Sequence, residues 1–291
     1  MRKFSFLLIS ILIISLLLLG GCGKQSSGQG NSSTNSNVSQ ENKPTNENTS
    51  DDILYLPILG ESKNLTEKQK KDMSIWRKDI VDLAKKNKNS VFINGSAEKK
   101  QVALTFDDGP DGVITPKILD VLKEKNVKAS FFFIGKSVSL FPEVVKRAYK
   151  DGNLVLNHSL THADLSNKNA KDIQGEIKGT EDKIFSLINK RPAIIRPPYG
   201  ALTQNSIDEI EKTNYKMVIW SIDTLDWSQK ESSNITNNVL NNVRNGDIIL
   251  MHSNGDKKAT LEALPAIIEG LEKKGYKIVT LDELLNITPY Q

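Results

Sequence analysis

Three features of the sequence predict an α/β fold built on a parallel sheet. Beyond Lys99, apolar runs of about four to six residues alternate with segments of helical pattern, the rhythm of strands joined by crossover helices. Several of those runs end directly in ionisable residues, as expected of a parallel sheet, whose chemistry gathers at the carboxyl ends of its strands. The chain has 291 residues, 38% hydrophobic and 25% charged, enough for one large domain or two small ones with a core of ordinary soluble composition.

The first element stands apart from that fold. Arg2 and Lys3 precede the apolar run FSFLLISILIISLLLL, residues 4–19, a charged start and a stretch short of the roughly 20 residues that span a bilayer. It reads as an export signal or, if uncleaved, as a short membrane anchor. The run closes in LGGC, residues 19–22, which resembles the lipobox of bacterial lipoproteins. That resemblance implies a signal over residues 1–21, lipid on Cys22, and a location on the extracellular face of the bacterial cell membrane, in the cell-wall zone. Cys22 is the only cysteine, so an internal disulfide is excluded and the core must stand unaided. Loss of residues 1–21 lowers the basic residues from 39 to 37 against 35 acidic ones, net +2, a balance that points to no particular partner. The lysine runs at 85–88 and 98–100 lack interleaved aromatics, so nucleic acid is not an expected partner.

Residues 22–50 form the expected linker. From Lys24 to Ser50 the chain is almost wholly Ser, Asn, Gln, Gly, Thr and Lys, too polar to bury a core. A flexible tether of this length has an end-to-end distance on the order of 30 Å. Residues 51–97 are expected to be a helical extension: Trp76, Ile80, Leu83 and Ala84 share one helical face, after a cap at Thr66 with Gln69 three positions on. The main domain is expected over 98–286. Its strands are expected at 102–106, 129–134, 154–157, 193–196, 217–222, 247–251 and 276–280, with helices near 115–125, 142–151, 169–189, 204–213, 233–243 and 260–274. Seven such steps suit either a closed barrel or an open doubly wound sheet, and the pattern alone leaves both standing.

The strand ends carry the chemistry. Asp107 and Asp108 follow the first strand, His158 and His162 the third, Arg196 and Tyr199 the fourth, Asp223 and Asp226 the fifth, and His252 the sixth. These include all three histidines of the chain. Two adjacent carboxylates repel each other unless something positive lies nearby. Asp108, His158 and His162 would supply one oxygen and two imidazole ligands, leaving the open position of a catalytic zinc site. The i, i+4 spacing of the histidines turns both rings to one side if a helical turn begins there. Arg196 is placed to hold Asp107 ionised and oriented. Asp226 is placed to orient His252 and favour its protonated form, as a general acid requires.

The segments TFDDGP, HSLTH, RPPYG, DTLDW and LMH, in this order within residues 102–286, resemble the motifs of the NodB-type polysaccharide deacetylases, carbohydrate esterase family four. The resemblance implies a distorted (β/α) barrel of about seven parallel strands. It implies a divalent metal, zinc expected with Co2+ or Ni2+ as alternatives, on Asp108, His158 and His162. Asp107 would be the general base, steadied by Arg196. The backbone N–H of Tyr199 would help hold the oxyanion, and His252, tuned by Asp226, would protonate the leaving amine. Trp227 and Leu250 would wall the acetyl pocket, with Pro198 and Tyr199 beside the substrate. The expected substrate is a polymer bearing N-acetylglucosamine, peptidoglycan foremost, and the expected state a monomer. Ala163 and Ser253 depart from the family's frequent Pro and Asp, and both positions are expected to border the groove. An O-acetyl esterase and a non-catalytic glycan-binding lipoprotein are the alternatives.

Overall fold

Strand β2, Gln101–Asp107, has the sequence QVALTFD, in which every residue after Gln101 is buried. A strand buried on both faces belongs in the middle of a parallel sheet covered by layers on each side. In the computed structural model, which describes residues 55–291, β2 pairs with β3 (Ser130–Phe133), β8 (Ile248–His252) and β9 (Lys277–Val279). The apolar N-terminal run, Cys22 and the polar tether lie outside the described residues.

The other strands are β1 (Val91–Phe92), β4 (Leu154–Asn157), β5 (Ile194–Ile195), β6 (Lys216–Val218) and β7 (Ile222–Asp223). Among the described residues these form one sheet in the order β1-β6-β5-β4-β3-β2-β8-β7, with β9 beside the start of β2, and every pairing is parallel. All seven expected apolar runs supply strands. The run over 217–222, however, is broken into β6 and β7, because the carbonyls of Val218 and Ile219 turn aside to accept hydrogen bonds from the Arg196 guanidinium at 3.1 and 2.8 Å. Few residues separate the two strands, yet β6 pairs with β5 and β7 with β8, the two ends of the row β5-β4-β3-β2-β8. One chain segment touches both ends, so the sheet curls into a distorted barrel.

Side chains of neighbouring strands divide between two cores. Val102, Leu104 and Phe106 of β2 join Phe131 and Phe133 of β3 in one, with the buried residues of helices α2 (Ile114–Glu124), α3 (Gly135–Leu140), α4 (Pro142–Lys150), α7 (Ser232–Leu240) and α8 (Lys258–Lys273). Ala103, Phe132, Leu156, Ile248 and Leu250 belong to the other, which also receives α5 (Ala170–Ile188) and α6 (Gln204–Glu211). That alternation is the period of two expected of strands. No helix of the described residues is long and apolar enough to cross a membrane.

Residues 55–97 are built into this unit. Helix α1, Glu67–Lys86, starts at a capping box formed by Thr66 and Gln69, and it buries Ile80 and Ala84 in the second core. Strand β1 extends the sheet beyond β6, and Leu59 hydrogen-bonds to Ser221 and Asp223 on the edge of β7. The segment expected as an extension therefore contributes a strand, an edge and a helix to the barrel.

Candidate active site

The barrel places the strand ends at one opening. Asp107, the last residue of β2, is the register partner of His252, the last of β8. His158 follows β4 and donates its N–H to the Phe133 carbonyl at 3.0 Å, while Arg196 follows β5 and donates its N–H to the Asn157 carbonyl at 3.0 Å. All three histidines line one cavity of about 550 Å³, together with Asp107, Asp108, Tyr199, Trp227 and Leu250.

The donor set fits a divalent cation. One ligand atom from each of Asp108, His158 and His162 lies within 4.8 Å of the others. His158 Nδ1 is 2.7 Å from the Arg196 carbonyl oxygen. A carbonyl only accepts, so Nδ1 carries the hydrogen and Nε2 presents a lone pair. That lone pair faces Asp108 Oδ1 at 3.4 Å, and His162 Nε2 faces the same oxygen at 3.1 Å. Asp108 Oδ1 is buried and has no hydrogen-bond partner. Acceptors converging without donors repel unless a cation sits among them. Ligands about 2.0–2.1 Å from one tetrahedral ion stand roughly 3.3 Å apart, which matches these separations.

Arg196 is fully buried behind the cavity. Its guanidinium donates to Asp107 Oδ1 and the Thr105 hydroxyl, both at 2.8 Å, besides the two carbonyls that break the strand. Its planar group lies 4.2 Å from the centre of the Phe132 ring. Burial works to lower the pKa of this guanidinium, and the Asp107 carboxylate opposes the effect. Arg196 is thus a positioning residue that fixes Asp107. On the other side of the opening, His252 Nδ1 lies 2.7 Å from Asp226 Oδ1. Asp226 Oδ2 accepts from the His252 backbone N–H at 2.8 Å and from the Thr260 hydroxyl at 2.7 Å. Burial alone would lower the His252 pKa, but Asp226, with smaller contributions from Asp108 and Asp107, pushes it up to about 9. The imidazole is held protonated at neutral pH, with Nε2 as the atom left for a ligand. Asp223, also lining the cavity, has its carboxyl pushed up to about 6 by burial.

Several expectations are corrected. Residues 158–164 form an irregular loop rather than a helical turn, and His162 has φ 59°. The two imidazoles meet, with ring centres 5.0 Å apart, because Ser159 and His162 both take left-handed backbone conformations. Asp108 (φ 69°) and Tyr199 (φ 62°) do the same, each at a cost of about 1–3 kcal/mol that the surrounding packing must hold. Pro198, expected beside the substrate, is buried in the turn and does not line the cavity. Tyr199 does, 65% exposed, with its ring against His162 at 4.6 Å. Ser253 does not border the groove: it is fully buried, and its backbone N–H donates to the Asp107 carbonyl at 2.9 Å.

Other lining residues carried no sequence motif. Leu65, Gln69, Asp72, Met73 and Trp76, at and within α1, wall the same cavity, as does Trp220. The apolar periodicity of α1 extends from Ile80 back through Trp76 to Met73, but periodicity does not say whether a stripe meets a core or a cavity.

A partly buried acceptor cluster of metal-ligand type, flanked by a fixed carboxylate and a protonated imidazole, defines a hydrolytic site at the mouth of a parallel barrel. The polysaccharide deacetylase family model matches residues 94–218. A peptidoglycan-N-acetylglucosamine deacetylase of Bacillus cereus is 41% identical over 199 residues, 68% of this chain and 72% of that protein. The peptidoglycan-N-acetylmuramic acid deacetylase PdaA of Bacillus subtilis is 33% identical over 202 residues, covering 68% and 76%. The crystal structure of the Bc1960 peptidoglycan N-acetylglucosamine deacetylase superposes with a TM-score of 0.67 at 39% identity, covering 69% of this chain and 95% of that one. The chain belongs to the polysaccharide deacetylase family, carbohydrate esterase family four, and is an enzyme of that class.

Proposed function

We propose that this chain is a metal-dependent N-deacetylase acting on the N-acetylglucosamine units of peptidoglycan, releasing acetate and leaving a free amine. The observation that carries the reading is the placement of Asp107 and His252, register partners at the barrel mouth, around the Asp108, His158 and His162 cluster. The relative at 41% identity is named for N-acetylglucosamine in peptidoglycan and the one at 33% for N-acetylmuramic acid, which favours the glucosamine unit.

A divalent ion on the cluster, zinc foremost and Co2+ or Ni2+ as alternatives, would supply Lewis-acid polarisation and a water of lowered pKa. Asp107, oriented by Arg196, accepts a proton from the attacking water. The backbone N–H of Tyr199 stabilises negative charge on the former carbonyl oxygen. His252, kept protonated by Asp226, donates from Nε2 to the departing nitrogen, so that an amine rather than an amide anion leaves. Leu250 and Trp227 enclose the acetyl group. The protein acts as a monomer, held by lipid on Cys22 at the outer face of the cell membrane, in the cell-wall zone.

The test is acetate release by the purified, zinc-loaded protein from peptidoglycan, N-acetylglucosamine oligomers and O-acetyl xylan. Release from peptidoglycan that a chelator abolishes is the expected result. Release from O-acetyl xylan alone would favour the esterase, and no release from any N-acetyl glycan would refute the reading.

A further inference from the structure

We infer that the N-terminal half of α1 forms a second sugar subsite, holding the glycan residue next to the one being deacetylated; this rests on the deacetylase reading above. The helix lies outside the family match, which begins at residue 94. Its apolar stripe runs Met73, Trp76, Ile80, Ala84, at helical spacing. The C-terminal part of the stripe is spent on the core, where Ile80 and Ala84 are buried. The N-terminal part is covered only in part: Trp76 packs against the same core with one side. Met73 and Trp76 are only partly buried and line the cavity that holds Asp107, His158 and His252.

This wall is fixed in place. The Trp76 ring lies 5.3 Å from that of Trp220 at 34°, and the indole N–H is directed at the Gly200 carbonyl at 3.4 Å. Gly200 has φ 62°, and a Cβ there would lie 2.7 Å from Trp76 Cζ2 and 2.8 Å from Trp220 Cη2. Only glycine lets both rings close on the turn that carries Tyr199. Trp76 thus stands on the same scaffold as the reaction site.

The chemistry of the wall selects the occupant. A pyranose presents apolar C–H faces and a rim of hydroxyls, and aromatic walls with a few polar groups suit both. Trp76 and Met73 supply the apolar wall, while Gln69, whose Oε1 is taken by the Thr66 cap, offers its amide N–H groups and Asp72 a carboxylate paired through Oδ2 with Lys68, both exposed on the same side of α1. The reacting acetamide has to reach Asp107 and His252, to whose ionisable set α1 adds only Asp72. The helix therefore meets a neighbouring sugar of the same chain in a cavity continuous with the reaction site.

The test compares steady-state kinetics of zinc-loaded wild type, Trp76→Ala and Met73→Ala on an N-acetylglucosamine pentamer and on 4-methylumbelliferyl acetate, with thermal melts to verify folding. Trp76→Ala is expected to lower kcat/KM for the pentamer about tenfold, through KM rather than kcat, and by clearly more than for the aryl ester. Met73→Ala, which leaves the Trp76 and Trp220 contact in place, is expected to show a smaller loss with the same preference. Equal losses on both substrates, a loss in kcat alone, or an unchanged pentamer KM would overturn the subsite while leaving the deacetylase reading intact. A wild-type protein inert on every N-acetyl glycan would remove both.

Discussion

Replacement of Asp226 by asparagine keeps the shape of the pair with His252 and removes its charge. In the wild type the His252 pKa is raised to about 9, because the Asp226 carboxylate 2.7 Å away outweighs burial, which by itself favours the neutral ring. A raised histidine pKa means the acid form persists as pH climbs and is lost only as pH passes through that value. At pH 8 about nine-tenths of the wild-type imidazole is protonated. With the partner charge gone, burial is opposed only by the more distant Asp107 and Asp108, and the pKa returns to 6.5 or below. At pH 8 the protonated fraction is then about three per cent, and kcat/KM falls about 30-fold. Below pH 6 the two enzymes converge, apart from any loss of orientation. The assay is acetate release from N-acetylglucosamine oligomers between pH 5 and 10, with zinc-loaded protein. The alkaline limb should move down by about 2.5 pH units. A folded Asp226→Asn enzyme whose alkaline limb stays in place would refute the role given to this pair.

Three further outcomes follow from the same geometry. Asp107→Asn should lower turnover by about 10²–10⁴-fold while still binding one zinc per chain, since Asp107 lies outside the three-ligand cluster; loss of the metal by elemental analysis would make it a ligand instead. Zinc should raise the melting temperature of the wild type, because it binds the folded state, and should raise that of His162→Ala much less; equal rises would dissociate His162 from the cluster. Arg196→Met leaves the Asp107 carboxylate and the Val218 and Ile219 carbonyls facing an apolar side chain, a loss of about 3–5 kcal/mol visible as a lower urea midpoint. An unchanged midpoint would mean the buried guanidinium is dispensable to the fold.

The parallel class and the identity of the ionisable residues follow from the order of residues alone. Strand runs such as Val102–Phe106 are apolar but for Thr105, as a doubly covered parallel strand requires, and several are followed directly by residues that line the cavity. Those are local properties, readable along the chain. Closure of the barrel was not local: it required Arg196 to reach over and take the carbonyls of Val218 and Ile219, splitting a run that looks continuous in one dimension. Nor could spacing reveal how His158 and His162 converge, since they do so through left-handed backbone at Ser159 and His162 rather than through a helical turn. The stripe on α1 shows the same limit. Its period identifies one face of a helix, but whether Met73 and Trp76 cover a core or overhang a cavity depends on what packs opposite, and that is fixed only when distant segments of the chain meet.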